Sequence, residues 1–239
     1  MAQSLEKFVL IIRCLSKGIY RFSDICKETG LPPSTAHRLL TSMVKLELAL
    51  QDPVHRFYYL GPVVFEIASN QLNLHQRLIV IASPELVNLQ TLTHETTALH
   101  ALMGIYQACL DEYVSLKPIK YSIGKGSVGL AATGASGKVL LSQLDDTTLK
   151  ALKRNYTAKN INLDALGQIS SIRESGFAES IGERQTGAMG ISAPVYNYFC
   201  PISVSVMGPE NRILENRDTI IKLVKMSARK ISTMLLSME

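Results

Sequence analysis

The sequence predicts an α+β chain, an N-terminal winged helix-turn-helix followed by a C-terminal mixed α/β domain with an antiparallel sheet. Three observations lead there. Three helical patterns ahead of Leu46 are followed by two short β-prone runs, as in a winged module. A break at Gly61 and Pro62 opens a long apolar helix. Beyond Ser83, helical stretches alternate with paired β-prone runs joined by turns.

In chain order, Leu5, Phe8, Val9, Ile12 and Leu15 recur at helical spacing, with Ser4 placed to cap this first helix. Ser23 or Asp24 can cap a second helix through Thr29, and Gly30 supplies the left-handed residue that ends it. Pro32 and Pro33 then make a tight connection, because the residue before a proline is driven out of the helical region while a proline in a first turn is tolerated. The third helix therefore begins at Pro33 or Ser34.

Ala36, Leu39, Leu40, Met43 and Val44 share one side of that helix. The other side carries Ser34, Thr35, Arg38, Thr41, Ser42 and Lys45, with His37 on the flank and no acid among them. Short donors near a helix start, where backbone N–H groups also point outward, suit phosphates and base edges, and Arg38 can reach a guanine with two hydrogen bonds. An ordinary solvated face accounts for the same residues. The two extended runs, Ala49 to Gln51 and Arg56 to Leu60, joined by DPVHR, favour the DNA reading because they complete a wing. His55 and Arg56 would then lie beside the phosphate backbone or minor groove, with Phe57 and Tyr59 packed inward. A plain surface arginine is the alternative for Arg56.

The stretch LGPVVFEIASNQLNLHQRLIVIASPEL reads as a linker helix, broken again before Pro84. It divides the chain into residues 1–61, a linker at 62–82, and 83–239. Its apolar residues exceed what one small module covers, so it either packs in a dimer or is buried within the chain. A helix from Pro84 to His94 leads to β-prone runs at Thr97 to Met103 and Ala108 to Val114, with a turn at Gly104. Helices follow around Gly137 to Leu144, Thr147 to Arg154 and Leu163 to Glu174. GAMGISAPVY and CPISVSVMGP form a hairpin pair, and an amphipathic helix runs from Asn216 to Met238.

Composition bounds the function. The 239 residues are 46% hydrophobic, enough for a buried core, and 25 Lys and Arg against 20 Asp and Glu give a net charge of +5, which permits a polyanionic partner without requiring one. Cys14, Cys26, Cys109 and Cys200 show no C-x-x-C spacing and no nearby histidine pair, so no metal site or disulfide scaffold is suggested, and a cytoplasmic setting is expected. The run Phe8 to Ile12 is too short for a signal sequence or a membrane span.

Enzyme motifs fail on their particulars. GKGSVG fits a dinucleotide fingerprint, but the acids that should follow, Asp145 and Asp146, fall at a helix end. ATGASGKV approaches a phosphate-binding loop, yet Val139 stands where serine or threonine would hold magnesium. His75, His94 and His100 have no nucleophile elbow or paired cysteine nearby. No cofactor is implied. A nucleotide- or small-acid-processing enzyme and a DNA-free metabolite-binding protein are the rival readings.

The segments LEKFVLIIRCL, FSDICKETGLPPSTAHRLLTSM and HRFYYLGPVVFEIA, in that order, resemble the IclR-type transcriptional regulators, and the resemblance continues through TGASGKVLLS, IRESGFAESIGERQTGAMGISAPVY and ISVSVMGP. It implies a ligand-responsive DNA-binding regulator with a GAF/PAS-like effector-binding domain, acting as a homodimer or homotetramer on double-stranded operator DNA. It also implies an effector site at Gly134, Ala135 and Ser136, Gly190 and Ser205, with Ser203 on the same strand face by period two. A purely structural role accounts for these serines as well. Backbone donors at the helix start favour a carboxylate or an aromatic acid as effector. Three residues depart from the family pattern. Ser180 stands where some members have an acid, Met207 replaces a serine, and Glu47 stands where glycine usually follows the recognition helix. A non-glycine residue in a left-handed cap costs about 1 kcal/mol, so the helix is expected to end differently. No lysine or arginine is expected in the wall of the effector site.

Overall fold

The computed structural model describes residues 2–158 and 167–237 and comprises two compact units, residues 1–74 and 75–239. The first unit contains α1 (Ala2–Ser16), α2 (Phe22–Thr29), α3 (Pro33–Lys45) and a two-stranded antiparallel sheet of β1 (Ala49–Gln51) and β2 (Tyr58–Leu60). Ile11, Leu15, Ile25, Leu40 and Met43 form its core. The stripe of α3 predicts its packing, whereas on α1 Leu5 and Val9 of the expected stripe are exposed and Ile11 and Cys14 are buried beside Leu15 instead, and the caps also differ from expectation. Helix α1 begins ahead of Ser4, which lies inside the first turn. Arg21, in an extended conformation, stands at the start of α2, so Ser23 and Asp24 also fall within a first turn, where Asp24 still complements the helix dipole. Gly30 does end α2, with φ 66°.

The wing begins later than its aromatic run suggests. Arg56 has φ 61° and belongs to the turn, so β2 starts at Tyr58. Tyr58 is the buried aromatic at 5% exposure, whereas Tyr59 turns outward and packs on Tyr20 with ring centroids 4.8 Å apart. Phe57 is half-buried beneath the Arg21 guanidinium, 5.5 Å from the ring centre.

The exit of α3 overturns the expectation drawn from Glu47. Glu47 adopts φ 56°. The Leu48 N–H donates to the Met43 carbonyl at 2.9 Å and the Glu47 N–H to the Val44 carbonyl at 3.1 Å, the paired bonds of a Schellman ending. The Glu47 carbonyl then accepts from the Val63 N–H at 3.3 Å and lies against Gly61, where any Cβ would overlap it. The left-handed cap is retained without glycine because these contacts offset its strain.

Helix α4 (Pro62–Thr93) continues through Pro84, where a break was expected. A proline within a helix removes one backbone bond and crowds the preceding turn, at about 3 kcal/mol. Leu78, Ile81, Ala82, Leu86 and Leu89 remain buried in one stripe on both sides of Pro84, and that packing outweighs the lost bond.

The second unit is built on a six-stranded antiparallel sheet in the order β5-β4-β3-β8-β7-β6. The strands are β3 (Thr96–Met103), β4 (Tyr106–Tyr113), β5 (Val128–Leu130), β6 (Ala178–Ile181), β7 (Ala188–Val195) and β8 (Ile202–Pro209). The sequence reading missed the short strands β5 and β6. The helices are α5 (Gly134–Ser142), α6 (Asp146–Ala158), α7 (Ile169–Ser175), α8 (Glu210–Glu215) and α9 (Arg217–Leu236). The helix expected over Leu163 to Glu174 is described only from Ile169, since residues 163–166 lie outside the described residues, as does Met238 at the end of the last expected helix.

Strand alternation gives the sheet two unlike faces. Leu99, Ile191, Ala193, Val204 and Val206 pack with α4, α8 and α9 in the main core. Register places His100 opposite Ser203, Ser192 opposite Ser205 and Gly190 opposite Met207 on the other face, which is small and polar and lies on the α5 side.

Candidate nucleic-acid interface and ligand cavity

Helix α3 presents the outer face that its sequence predicts. Ser34, His37, Arg38, Thr41, Ser42 and Lys45 are exposed, Thr35 is half-buried, and Ala36, Leu40 and Met43 anchor the opposite side. Pro33 occupies the first turn and no side chain caps the helix, so among the described residues nothing accepts from the Ser34 and Thr35 amides. The Ser42 hydroxyl donates to the Arg38 carbonyl at 3.0 Å, and His37 packs edge-on against Phe22 at 6.2 Å. The surface therefore offers donors and cations at one helix entry.

The wing tip is organised by Asp52. One carboxylate oxygen accepts from the Val54 amide at 2.7 Å and the other meets His55 Nδ1 at 2.9 Å, and these bonds hold the Asp52 carboxyl below its ordinary range, the His55 contact contributing most. His55 and Arg56 both project into solvent beside this turn.

A cavity of about 40 Å³ lies at the start of α5. Gly134, Ala135, Ser136, Gly190 and Ser205 all line it, so the structure brings together every expected effector residue except Ser203. Ser203 is fully buried and its hydroxyl has no partner among the described residues. Gln107 fixes the entry of α5: its Nε2 donates to the Leu130 and Thr133 carbonyls at 2.9 Å each, and its Oε1 accepts from the Ser136 hydroxyl at 2.5 Å. Glu183 takes the first amide of the helix, accepting from Gly134 N–H at 2.9 Å, and pairs with the buried Lys138. Among the described residues, no group accepts from the Ala135 and Ser136 amides.

Sequence reasoning missed three contributors. Ser192 lies beside Ser205, with Oγ atoms 2.7 Å apart, and Ser205 Oγ is 3.4 Å from His100 Nδ1. His100 is 1% exposed, its Nε2 has no partner among the described residues, and burial, aided by the charge of Arg184, pushes its pKa down to about 3. The imidazole is neutral at physiological pH. Arg184, on the turn between β6 and β7, lines the cavity and supplies the cation that was not expected there. Period two along β3 puts His100 on one face with Thr96 and Ala98 as its only titratable side chain, while Arg184 enters through a turn whose course the sequence pattern does not determine. The other two histidines are structural: His75 packs against both Tyr198 and Phe199, and His94, at φ 58°, follows the end of α4.

Comparison with known proteins bears on both regions. The family described as IclR helix-turn-helix domain matches residues 4–53, and that described as Bacterial transcriptional regulator IclR C-terminal matches residues 71–233. The chain is 27% identical to the HTH-type transcriptional regulator TtgV of Pseudomonas putida, over 96% of this chain and 90% of that protein. It is also 27% identical to the HTH-type transcriptional repressor AllR of Escherichia coli, over 98% and 90% of the two chains. The crystal structure of Thermotoga maritima IclR superposes with a TM-score of 0.72 at 21% identity, covering 98% of this chain and 99% of that one. An IclR homolog from Microbacterium hydrocarbonoxydans complexed with 4-hydroxybenzoate gives 0.74 at 19% identity, with the same coverage of 98% and 99%. No helix among the described residues is long and apolar enough to cross a membrane.

Proposed function

The chain belongs to the IclR family of bacterial transcriptional regulators, and from that premise we propose that α3 is its recognition helix and the cavity at α5 its effector site. Its family makes it a DNA-binding, ligand-responsive regulator. The acid-free outer face of α3 carries the DNA reading: Arg38 reads a base in the major groove, Ser34, Thr35, His37 and Thr41 lie around it, and Lys45 binds phosphate. His55 and Arg56 contact the backbone or minor groove from the wing.

The effector is a small carboxylate or an aromatic acid. The unengaged amides of Ala135 and Ser136 at the dipole end of α5 support that class, as does the acid bound by the M. hydrocarbonoxydans homolog. Gly134, Gly190, Ser203 and Ser205 complete the site, with Ser203 behind the wall. The ligand changes DNA affinity by the difference between its affinities for the two states of the regulator. The protein works in the cytoplasm as a homodimer or homotetramer. Phe65 and Ile67 on α4, 63% and 60% exposed, support self-association.

A genome-wide binding footprint identifies the operator, and anisotropy with that duplex then compares wild type with Arg38→Ala at matched salt. The reading expects a loss of about 1 to 3 kcal/mol and relaxed base preference. Equal affinity of the two proteins contradicts the recognition-helix assignment.

A further inference from the structure

The effector-site reading leaves open what decides which ligands enter, and the turn between β6 and β7 addresses that. Arg184 extends from this turn across two glycines. A Cβ on Gly134 would lie 3.0 Å from Arg184 Cδ, and a Cβ on Gly129 would overlap the guanidinium itself. The absence of side chains at these two positions leaves a cradle that the arginine fills. Arg184 remains partly open to solvent at the cavity and joins no ion pair or hydrogen bond among the described residues. The neighbouring acid, Glu183, also lines the cavity, where it is engaged by the Gly134 amide and Lys138 and makes no pair with Arg184. Among the described residues Arg184 is therefore a positioned cation without a counter-ion.

Two further features of the cavity point to a ligand. Among the described residues the Ala135 and Ser136 amides have no acceptor, and the buried Nε2 of His100 has no partner. A buried polar atom left unpaired costs stability that a ligand hydrogen bond would recover. The amide donors and the neutral imidazole at this one cavity suit a molecule that carries an anionic group together with a second hydrogen-bonding group.

We propose that Arg184 is the specificity-determining residue of this cavity, taking the ligand's carboxylate in its guanidinium fork and closing over it from the cradle of Gly129 and Gly134. This rests on the effector-site reading and adds that selection of acids over their neutral analogues depends on one side chain. A guanidinium matches a carboxylate with two parallel hydrogen bonds, whereas a lysine offers only a point charge.

The test uses calorimetry on the full chain with two acids, pyruvate and 4-hydroxybenzoate, and with their amides, pyruvamide and 4-hydroxybenzamide. Wild type is expected to bind at least one acid about tenfold or more tightly than its amide. Arg184→Gln, whose folding is checked by circular dichroism, should bring acid and amide within about threefold by weakening the acid more than the amide, and Arg184→Lys should keep part of the preference. An acid preference that survives in Arg184→Gln overturns the proposal, as does failure of both acids to bind wild type. Gly190→Val separates this from the parent reading: its Cβ has room, the nearest atom being 3.6 Å away, and its methyls enter the cavity. If Gly190→Val leaves binding of the acid intact, the effector site itself is misplaced. If it abolishes binding while Arg184→Gln keeps the acid preference, only the role of Arg184 fails.

Discussion

Ser205 joins two residues that sequence reasoning did not connect to it: its hydroxyl lies 2.7 Å from Ser192 Oγ and 3.4 Å from His100 Nδ1, on a sheet face that is otherwise small and closed to water. The network ties β3, β8 and β7 together beneath α5. It also places a titratable ring where charge is disfavoured, so stability and pH are linked.

The pKa of His100 falls from 6.5 to about 3 on folding, so below pH 6.5 the unfolded chain takes up a proton that the folded chain does not. This site therefore leaves stability unchanged above that pH and lowers it by about 1.4 kcal/mol per pH unit as pH falls toward 3. Urea unfolding of wild type and His100→Asn across this window should show the shallower acid dependence in the variant. Parallel curves would place the ring in a more polar environment than the structure gives it.

Glu47 holds a left-handed cap that glycine adopts without strain. Glu47→Gly should raise the stability of the first unit by about 0.5 to 1 kcal/mol, whereas Gly61→Ala, whose Cβ overlaps the Glu47 carbonyl, should lower it by about 2 kcal/mol or more. Hydrogen exchange at the α3 amides in the full chain reads both changes. A destabilised Glu47→Gly would mean that the side chain itself contributes to the turn.

Glu95, 2% exposed, accepts both arms of the Arg212 fork at 2.6 and 2.8 Å and pairs with Lys117 at 3.0 Å. Glu95→Gln leaves two cations short of their acid and should cost about 3 kcal/mol. Denaturant midpoints measure the loss. A change below about 0.5 kcal/mol would show that the pair is screened like a surface bridge.

These cases show what the sequence makes legible. The outward face of α3 is readable because period 3.6 sorts Arg38 from Leu40 without any tertiary information. Gly190 and Ser205 were reached through family resemblance, and strand alternation places Ser203 on the same face as Ser205 without showing that its hydroxyl is closed off from the cavity. Pro84 misled because local propensity signals a break, while the buried stripe from Leu78 to Leu89 that carries the helix through is a tertiary effect. Ser4 and Ser23 have the chemistry of caps but fall inside the first turn of their helices. His100 and Arg184 meet at the cavity through strand register and a turn, neither of which residue spacing along the chain encodes.

Lys45 and Arg38 should separate by salt dependence. Lys45→Ala should weaken all duplexes alike and reduce the slope of log affinity against log salt by about 1, while Arg38→Ala should act mainly on the operator. Anisotropy titrations on operator and scrambled duplexes over a range of potassium chloride check this. Identical slopes for Lys45→Ala and wild type would remove Lys45 from the phosphate contacts.

The central claim is that the cavity at α5 controls the DNA affinity of α3, and operator anisotropy with and without a binding acid tests it most directly. Wild type should shift its operator affinity by about fivefold or more at saturating acid, while Gly190→Val should bind the operator as wild type does and show no shift. A shift of equal size in Gly190→Val would contradict the account.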